Sequence, residues 1–215
     1  MTDWLVMTPT QRKTKQEMVA EFRVTEILDA ARKVFAQKGF AETTVDQIAE
    51  EAGVAKGTVY LYFASKRDIY FAALRKGAKR MSEILRRNID AAGTVEQKLQ
   101  AYFDTKLRYI NENLDFFRIL HAEFGTCVHA AALDNEIGDL IRAQVQFIAD
   151  VLRGGVASGE LRPVAVEAVA WALSEMTRGV AVRRVLGWTQ NPVEDDVAEL
   201  TRFAWNGIRN NNETL

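Results

Sequence analysis

The stretch GVAKGTVYLYFASK, Gly53 to Lys66, gathers ammonium groups (Lys56, Lys66), hydroxyls (Thr58, Ser65) and phenols (Tyr60, Tyr62) around a glycine, Gly57. Donors of this kind suit the oxygens of a nucleic acid. A lysine can donate to guanine O6 or N7 or to a phosphate, a threonine can touch a base edge or a thymine methyl, and tyrosine hydroxyls fix register on phosphates. Gly57 removes a side chain where a helix would press against such a surface, at a propensity cost that pure scaffold would avoid. The run is not a phosphate-cradling loop, because no strand precedes it and no lysine directly follows Gly57. A second set, His121, Glu123, Cys127 and His129, has metal-ligand and nucleophile types. Its spacing matches no standard ligand set, Gly125 interrupts it and nothing orients a Cys–His pair, so no metal, no cofactor and no catalysis is expected.

The elements that must position the donors have a helical period throughout and no convincing alternation, which predicts an all-α protein. Ile27, Ala31, Val34 and Phe35 form one face of a first helix that is expected to stop at Gly39. Thr44-Val45-Asp46-Gln47 is a capping box opening a short helix that turns Ile48 and Ala49 inward and ends at Gly53. A second short helix from about Lys56 to Tyr62 docks Val59 and Phe63 into the same core, and Ser65, with Asp68 at the third position, opens a long helix. Two short helices joined by a tight glycine turn over a third make a helix-turn-helix, in which the first residues of the second helix, here Lys56, Gly57 and Thr58, reach base edges.

Beyond Arg80 the signals describe a larger helical body. Thr94 and Gln97 bracket another capping box, a short helix spans Leu114 to Phe124, and a long one spans Asp134 to Ser158 before Gly159. The tandem Gly154-Gly155 inside that helix predicts a kink or a close helix contact. A very apolar helix follows from Val166 to Leu186, and the last opens on Asn191 as cap, Pro192 first and Glu194 third. The expected division is an arm and start of the first helix over 1–22, a helix-turn-helix domain over 23–68 and a helical body over 69–215.

With 48% hydrophobic and 27% charged residues the 215-residue chain can bury a core, and three prolines leave little that reads as disordered. The start lacks the pattern of a secretory signal, no segment approaches a membrane span, and the single Cys127 cannot form an internal disulfide, so a cytoplasmic protein is expected. The net charge of -1 conceals an asymmetry: residues 1–80 hold 14 basic against 10 acidic side chains and residues 81–215 hold 14 against 19. The basic end is the end that carries the donors.

From Ile27 to Leu74 the chain resembles the DNA-binding domain of the tetracycline-repressor (TetR-like) family of bacterial transcriptional regulators. The residues that carry the resemblance are Phe35, Gly39 and Phe40, then Thr44, Val45, Ile48 and Ala49, the turn Ala52-Gly53-Val54, and the Tyr-x-Tyr-Phe-x-x-Lys ending. Tyr62 stands where many members have histidine. The resemblance implies a homodimer that represses transcription from a palindromic operator until a small molecule binds the body. The alternatives from other classes are an effector-independent DNA-binding protein and a helical metal-dependent or Cys-His enzyme.

The candidate DNA contacts are Thr44, Lys56, Gly57, Thr58, Tyr60, Tyr62 and Lys66. A pocket for an apolar or aromatic effector is expected among Phe103, Leu107, Phe117, Leu120, Phe124, Trp171 and Met176. Two stripes rich in small residues, Val166, Ala170, Leu173, Thr177 and Ala181 on one helix and Val197, Leu200, Ala204 and Ile208 on the next, are expected to form the dimer interface. The expected partners are therefore double-stranded operator DNA, a second copy of the chain and a small-molecule effector, with no membrane.

Overall fold

The computed structural model describes residues 14–124 and 134–210, which form helices with no strand among them. Local sequence sets most helix ends. Helix α1 (Lys15–Glu42) opens on a capping box in which the Thr14 hydroxyl accepts from the Glu17 amide at 3.2 Å, so most of the expected arm beyond Thr14 is already helical. Gly39, at φ 77°, breaks α1 where the first helix was expected to stop, and a short further segment runs to Glu42. Helices α2 (Val45–Glu51) and α3 (Lys56–Tyr60) follow, joined through Gly53 at φ 66°. The remaining helices are α4 (Lys66–Ala91), α5 (Val95–Glu112), α6 (Leu114–Phe124), α7 (Asn135–Ser158), α8 (Val166–Val185) and α9 (Val193–Ile208). The Thr44–Gln47 and Thr94–Gln97 boxes form as read, and Gly159 closes α7 in the left-handed region.

The first apolar cluster joins Ile27, Ala31, Phe35, Ile48, Val59 and Tyr70 beneath α2 and α3. It does not stop at the expected boundary after residue 68: Ile69, Phe71 and Leu74 of α4 belong to it, and so do Phe116, Ile119 and Leu120 of α6 and Ile137 of α7. Tyr70 is the centre of this continuity. Its ring is fully buried, stacks on Phe116 with centroids 4.6 Å apart and meets Phe35 edge-on at 5.3 Å. Its hydroxyl donates to the Phe116 carbonyl at 2.9 Å. The head formed by α1–α3 is thus fastened to α6 of the body by a shared core.

The second cluster is the body's own, built from α4, α5, α7, α8 and α9. Gly155 explains one sequence signal. A Cβ there would lie 2.8 Å from Leu161 and 2.9 Å from Val95, so the tandem glycine marks a close contact of α7 with neighbouring side chains. Gly155→Ala is expected to lower stability by about 1–3 kcal/mol through overpacking, whereas Gly154→Ala, where a Cβ meets nothing within 4 Å, stays neutral or gains slightly. Paired thermal melts of the two variants check the difference. After α7 the chain returns through Leu161, which bridges Arg209 in an isolated antiparallel pair, while the Glu160 carboxylate accepts from the Val95 amide at the start of α5.

The residues of the expected dimer stripes lie inside one chain. Ala170, Leu173, Thr177, Ala181, Val197, Leu200, Ala204 and Ile208 are all buried within one chain, and Val166 packs partly buried against the same cluster. Helix α8 is apolar on more than one side, and its contacts with α5 and α7 use the stripe that looked free. What α8 and α9 leave in solvent is a different set: Ala168, Trp171, Ala172 and Gly179 on α8, and Ala198 and Phe203 on α9.

The start of α9 also differs from expectation. Asn191 does not cap it; Pro192 stands before the first helical residue, Val193, without a side-chain cap. The carbonyls of Asn191 and Pro192 instead each accept from the Arg184 guanidinium at 2.9 Å, and Arg184 Nε donates to Asp196 at 2.8 Å. Both members of this ion pair are buried, and together they lock α8, the connecting turn and α9.

Candidate nucleic-acid interface and body cavity

Helix α3 leans on the head through Val59, which is fully buried, and turns its other side outward. Gly57 is exposed, and a Cβ added there would meet nothing within 4 Å. No protein atom requires glycine at that position, so its helix-propensity cost of about 1 kcal/mol has no explanation inside the fold. Thr58 is half-buried beside it, Tyr60 is exposed and Tyr62 is half-buried at the helix end. Leu61 is 80% exposed, the most solvent-open large apolar side chain of the described chain, and the sequence reading passed over it. An apolar residue between two tyrosines at the end of a short helix was the available signal.

The charged members of the set carry ties of their own. Lys56 Nζ lies 2.8 Å from Asp46 at the start of α2, and that carboxylate raises the lysine pKa above its ordinary value. Both side chains are exposed, so water screens the pair and it opens readily for another anion. Thr44 is exposed, with its hydroxyl engaged as the α2 cap. Lys66 departs from its expected role. Its ammonium donates to the carbonyls of Phe40 and Ala41 at 2.6 and 2.9 Å and lies 4.6 Å from the centre of the Phe40 ring. It therefore binds the last turn of α1 to the start of α4, which positions the reading helix and leaves less of it for a phosphate.

The body holds a cavity of about 160 Å³ between α4, α5, α6, α7 and α8, lined mostly by carbon. Of the expected lining, Phe117, Leu120 and Trp171 are in its wall. Phe103 and Leu107 are not: both are fully buried in the body's core, as periodicity alone could not distinguish. Met176 packs against the same core outside the wall, and the side chain of Phe124 lies outside the described residues. The wall also includes groups the sequence reading did not single out, among them Tyr109, Asn113, Lys106, Gln144, Arg178 and, from α1, Arg32. His121 joins the wall and Glu123 is exposed, while Cys127 and His129 lie outside the described residues. Among the described residues no group of three or more His, Cys, Asp or Glu side chains could hold a metal ion, and no helix is long and apolar enough to cross a membrane.

A small core carrying α2 and α3 in tight succession, with an outward glycine and hydroxyls on α3, defines a helix-turn-helix DNA-binding protein. Residues 27–73 match the family described as bacterial regulatory proteins, tetR family, and most of the chain is similar to transcriptional regulators. It is 25% identical over 177 residues to the fatty acid metabolism regulator protein of Bacillus subtilis, covering 82% of this chain and 88% of that one. It is 25% identical over 190 residues to the transcriptional activator FasR of Mycolicibacterium smegmatis, covering 85% and 81% respectively. Among solved structures, a transcriptional regulator FadR from Bacillus subtilis in complex with stearoyl-CoA superposes with a TM-score of 0.72 at 21% identity, over 86% of this chain and 99% of that one. A regulator from Saccharomonospora viridis in complex with choline gives 0.73 at 22%, over 89% and 99%. These two likenesses establish the shared fold, which holds different molecules in the two structures.

Proposed function

We propose that the protein is a homodimeric repressor that binds a two-fold symmetric DNA site through α3 and releases it when a small, largely apolar effector enters the body cavity. The observation that carries the DNA reading is Gly57: exposed, unconstrained by any neighbouring atom and flanked by Lys56, Thr58 and Tyr60. A single helix-turn-helix reads few bases, so two copies with half-sites about 34 Å or a multiple apart give useful specificity. The surface proposed for pairing is the set α8 and α9 leave open, with Trp171 45% and Phe203 71% exposed beside the small residues Ala168, Ala172 and Gly179.

The cavity supports effector control because it is apolar, walled by five body helices and bordered by the head. Its size sets a limit. A cavity of about 160 Å³ is comparable with one that accepts a benzene-sized molecule in an apolar protein interior, so a ring or medium-length chain fits as the walls stand. A chain as long as the stearoyl group held by the Bacillus subtilis relative needs the walls to part.

Selection of bound fragments from a random DNA pool tests the reading. The expected product is a palindrome, bound with an affinity that falls steeply as salt rises. Lys56→Ala and Thr58→Ala are expected to change which bases are preferred. A selected pool without symmetric half-sites, or unchanged base preference in both variants, would count against the proposal.

A further inference from the structure

Arg32 is, among the described residues, the one side chain of α1–α3 in the cavity wall. It leaves α1 to donate to the Asn113 side chain at the junction of α5 and α6, across 81 positions of sequence. Its guanidinium also lies 5.5 Å from the centre of the Phe116 ring on α6. Tyr109 of α5 completes the arrangement: its hydroxyl lies close enough to Arg32 to feel that charge, and so close to α4 that a Cβ on Gly77 would lie 2.6 Å from it. One arginine therefore ties the helix beneath the DNA-reading elements to α5 and α6, next to the space where an effector would lie.

The charges around that space do not balance. Arg178 in the wall is paired with Glu175. Arg32 and Lys106 have no carboxylate within ion-pair distance among the described residues; Lys106 donates instead to the Tyr102 hydroxyl at 3.1 Å. Burial pushes the Tyr109 hydroxyl above its ordinary pKa, with the Arg32 charge opposing, so that phenol is a neutral neighbour that leaves the guanidinium uncompensated. Two cations in a mostly apolar wall, without counter-charge, call for an anion carried on an apolar body.

We propose that the effector is an apolar molecule bearing an anionic group, and that this group binds Arg32, drawing the guanidinium from Asn113 and Tyr109 and releasing α1 from the α5–α6 junction. The inference rests on the cavity being the effector site and adds the ligand's charge and the residue that passes its presence to the head. Bidentate pairing of guanidinium with carboxylate is stronger than its bond to a neutral amide, which gives the exchange its direction. A ligand lacking the anion would fill the cavity and leave the tie intact, and so would not discriminate between the two states.

The test uses octanoate and octan-1-ol as probes, calorimetry for their binding and fluorescence anisotropy for affinity to the selected palindrome. In the wild type octanoate is expected to bind at least tenfold more tightly than octan-1-ol and to weaken DNA binding at least tenfold. Arg32→Gln should reduce octanoate affinity to that of the alcohol and abolish its effect on DNA, while Arg32→Lys retains part of both. Asn113→Ala removes the tie without the cation, so octanoate should still bind while DNA affinity without it is already lowered. This second variant decides the matter if Arg32→Gln does not fold. A wild-type response in Arg32→Gln overturns the role of Arg32 and leaves effector control standing. Octanoate that binds the wild type without changing DNA affinity overturns effector control through this cavity, and octanoate that binds no better than the alcohol, or not at all, overturns the anionic class.

Discussion

Gly57→Leu is expected to make the protein slightly more stable and almost unable to bind its DNA. Leucine is a better helix former than glycine, by up to about 1 kcal/mol in a helix interior and less in the first turn where Gly57 stands, and the first atom it adds meets nothing within 4 Å. The thermal midpoint should therefore hold or rise by a few degrees. In the proposed docking the same side chain stands where the α3 backbone comes closest to the duplex, and a loss of about 100-fold in affinity, near 2.7 kcal/mol, is the expected scale of preventing it. Anisotropy titration beside a thermal melt checks both signs in one preparation. Unchanged affinity would mean that α3 meets DNA by another face, and lowered stability would mean that glycine serves the fold after all.

Truncating Arg184 or Asp196 is expected to be the most destabilising single change among the exchanges considered. Removing one partner leaves the other charge buried without compensation, which costs about 3–5 kcal/mol. The Asn191 and Pro192 carbonyls would lose their donor in Arg184→Ala. For a chain of 215 residues this corresponds to a fall of about 10 °C in the thermal midpoint. Since the pair locks α8 to α9, the proposed pairing surface should loosen with it, and sedimentation should show monomer at concentrations where the wild type is dimeric. The double variant should cost less than the sum of the singles, because no orphaned charge remains. A change below about 1 kcal/mol in either single variant would show that water reaches the pair.

What could be read in the chain was what is encoded locally. Capping boxes at Thr44 and Thr94 involve residues three apart, and both form. The turn at Gly53 needs a left-handed residue and has it. What could not be read depends on which face meets which neighbour. Helix α8 carries apolar residues on several sides, so its phase against α5 and α7 was ambiguous, and the stripe read as open is buried within the chain. Phe103 and Leu107 have the composition of a pocket and the position of a core. Lys66 looked like a phosphate ligand because its acceptors are main-chain carbonyls of Phe40 and Ala41, which leave no mark in a side-chain pattern. Arg32 was passed over for a related reason: its partner lies 81 residues away.

The burial of Phe116, Ile119 and Leu120 against Tyr70 and its neighbours has a practical side for anyone who would graft this head onto another regulator. Cut free within α4, it would present a raw apolar flank that α6 normally covers, and it should aggregate or melt early. A chimera that keeps its specificity must therefore import the matching flank of α6 together with α1–α4, or mutate the Tyr70 surroundings to suit the recipient. Exchange of specificity within this architecture is a transplant of two interlocking pieces.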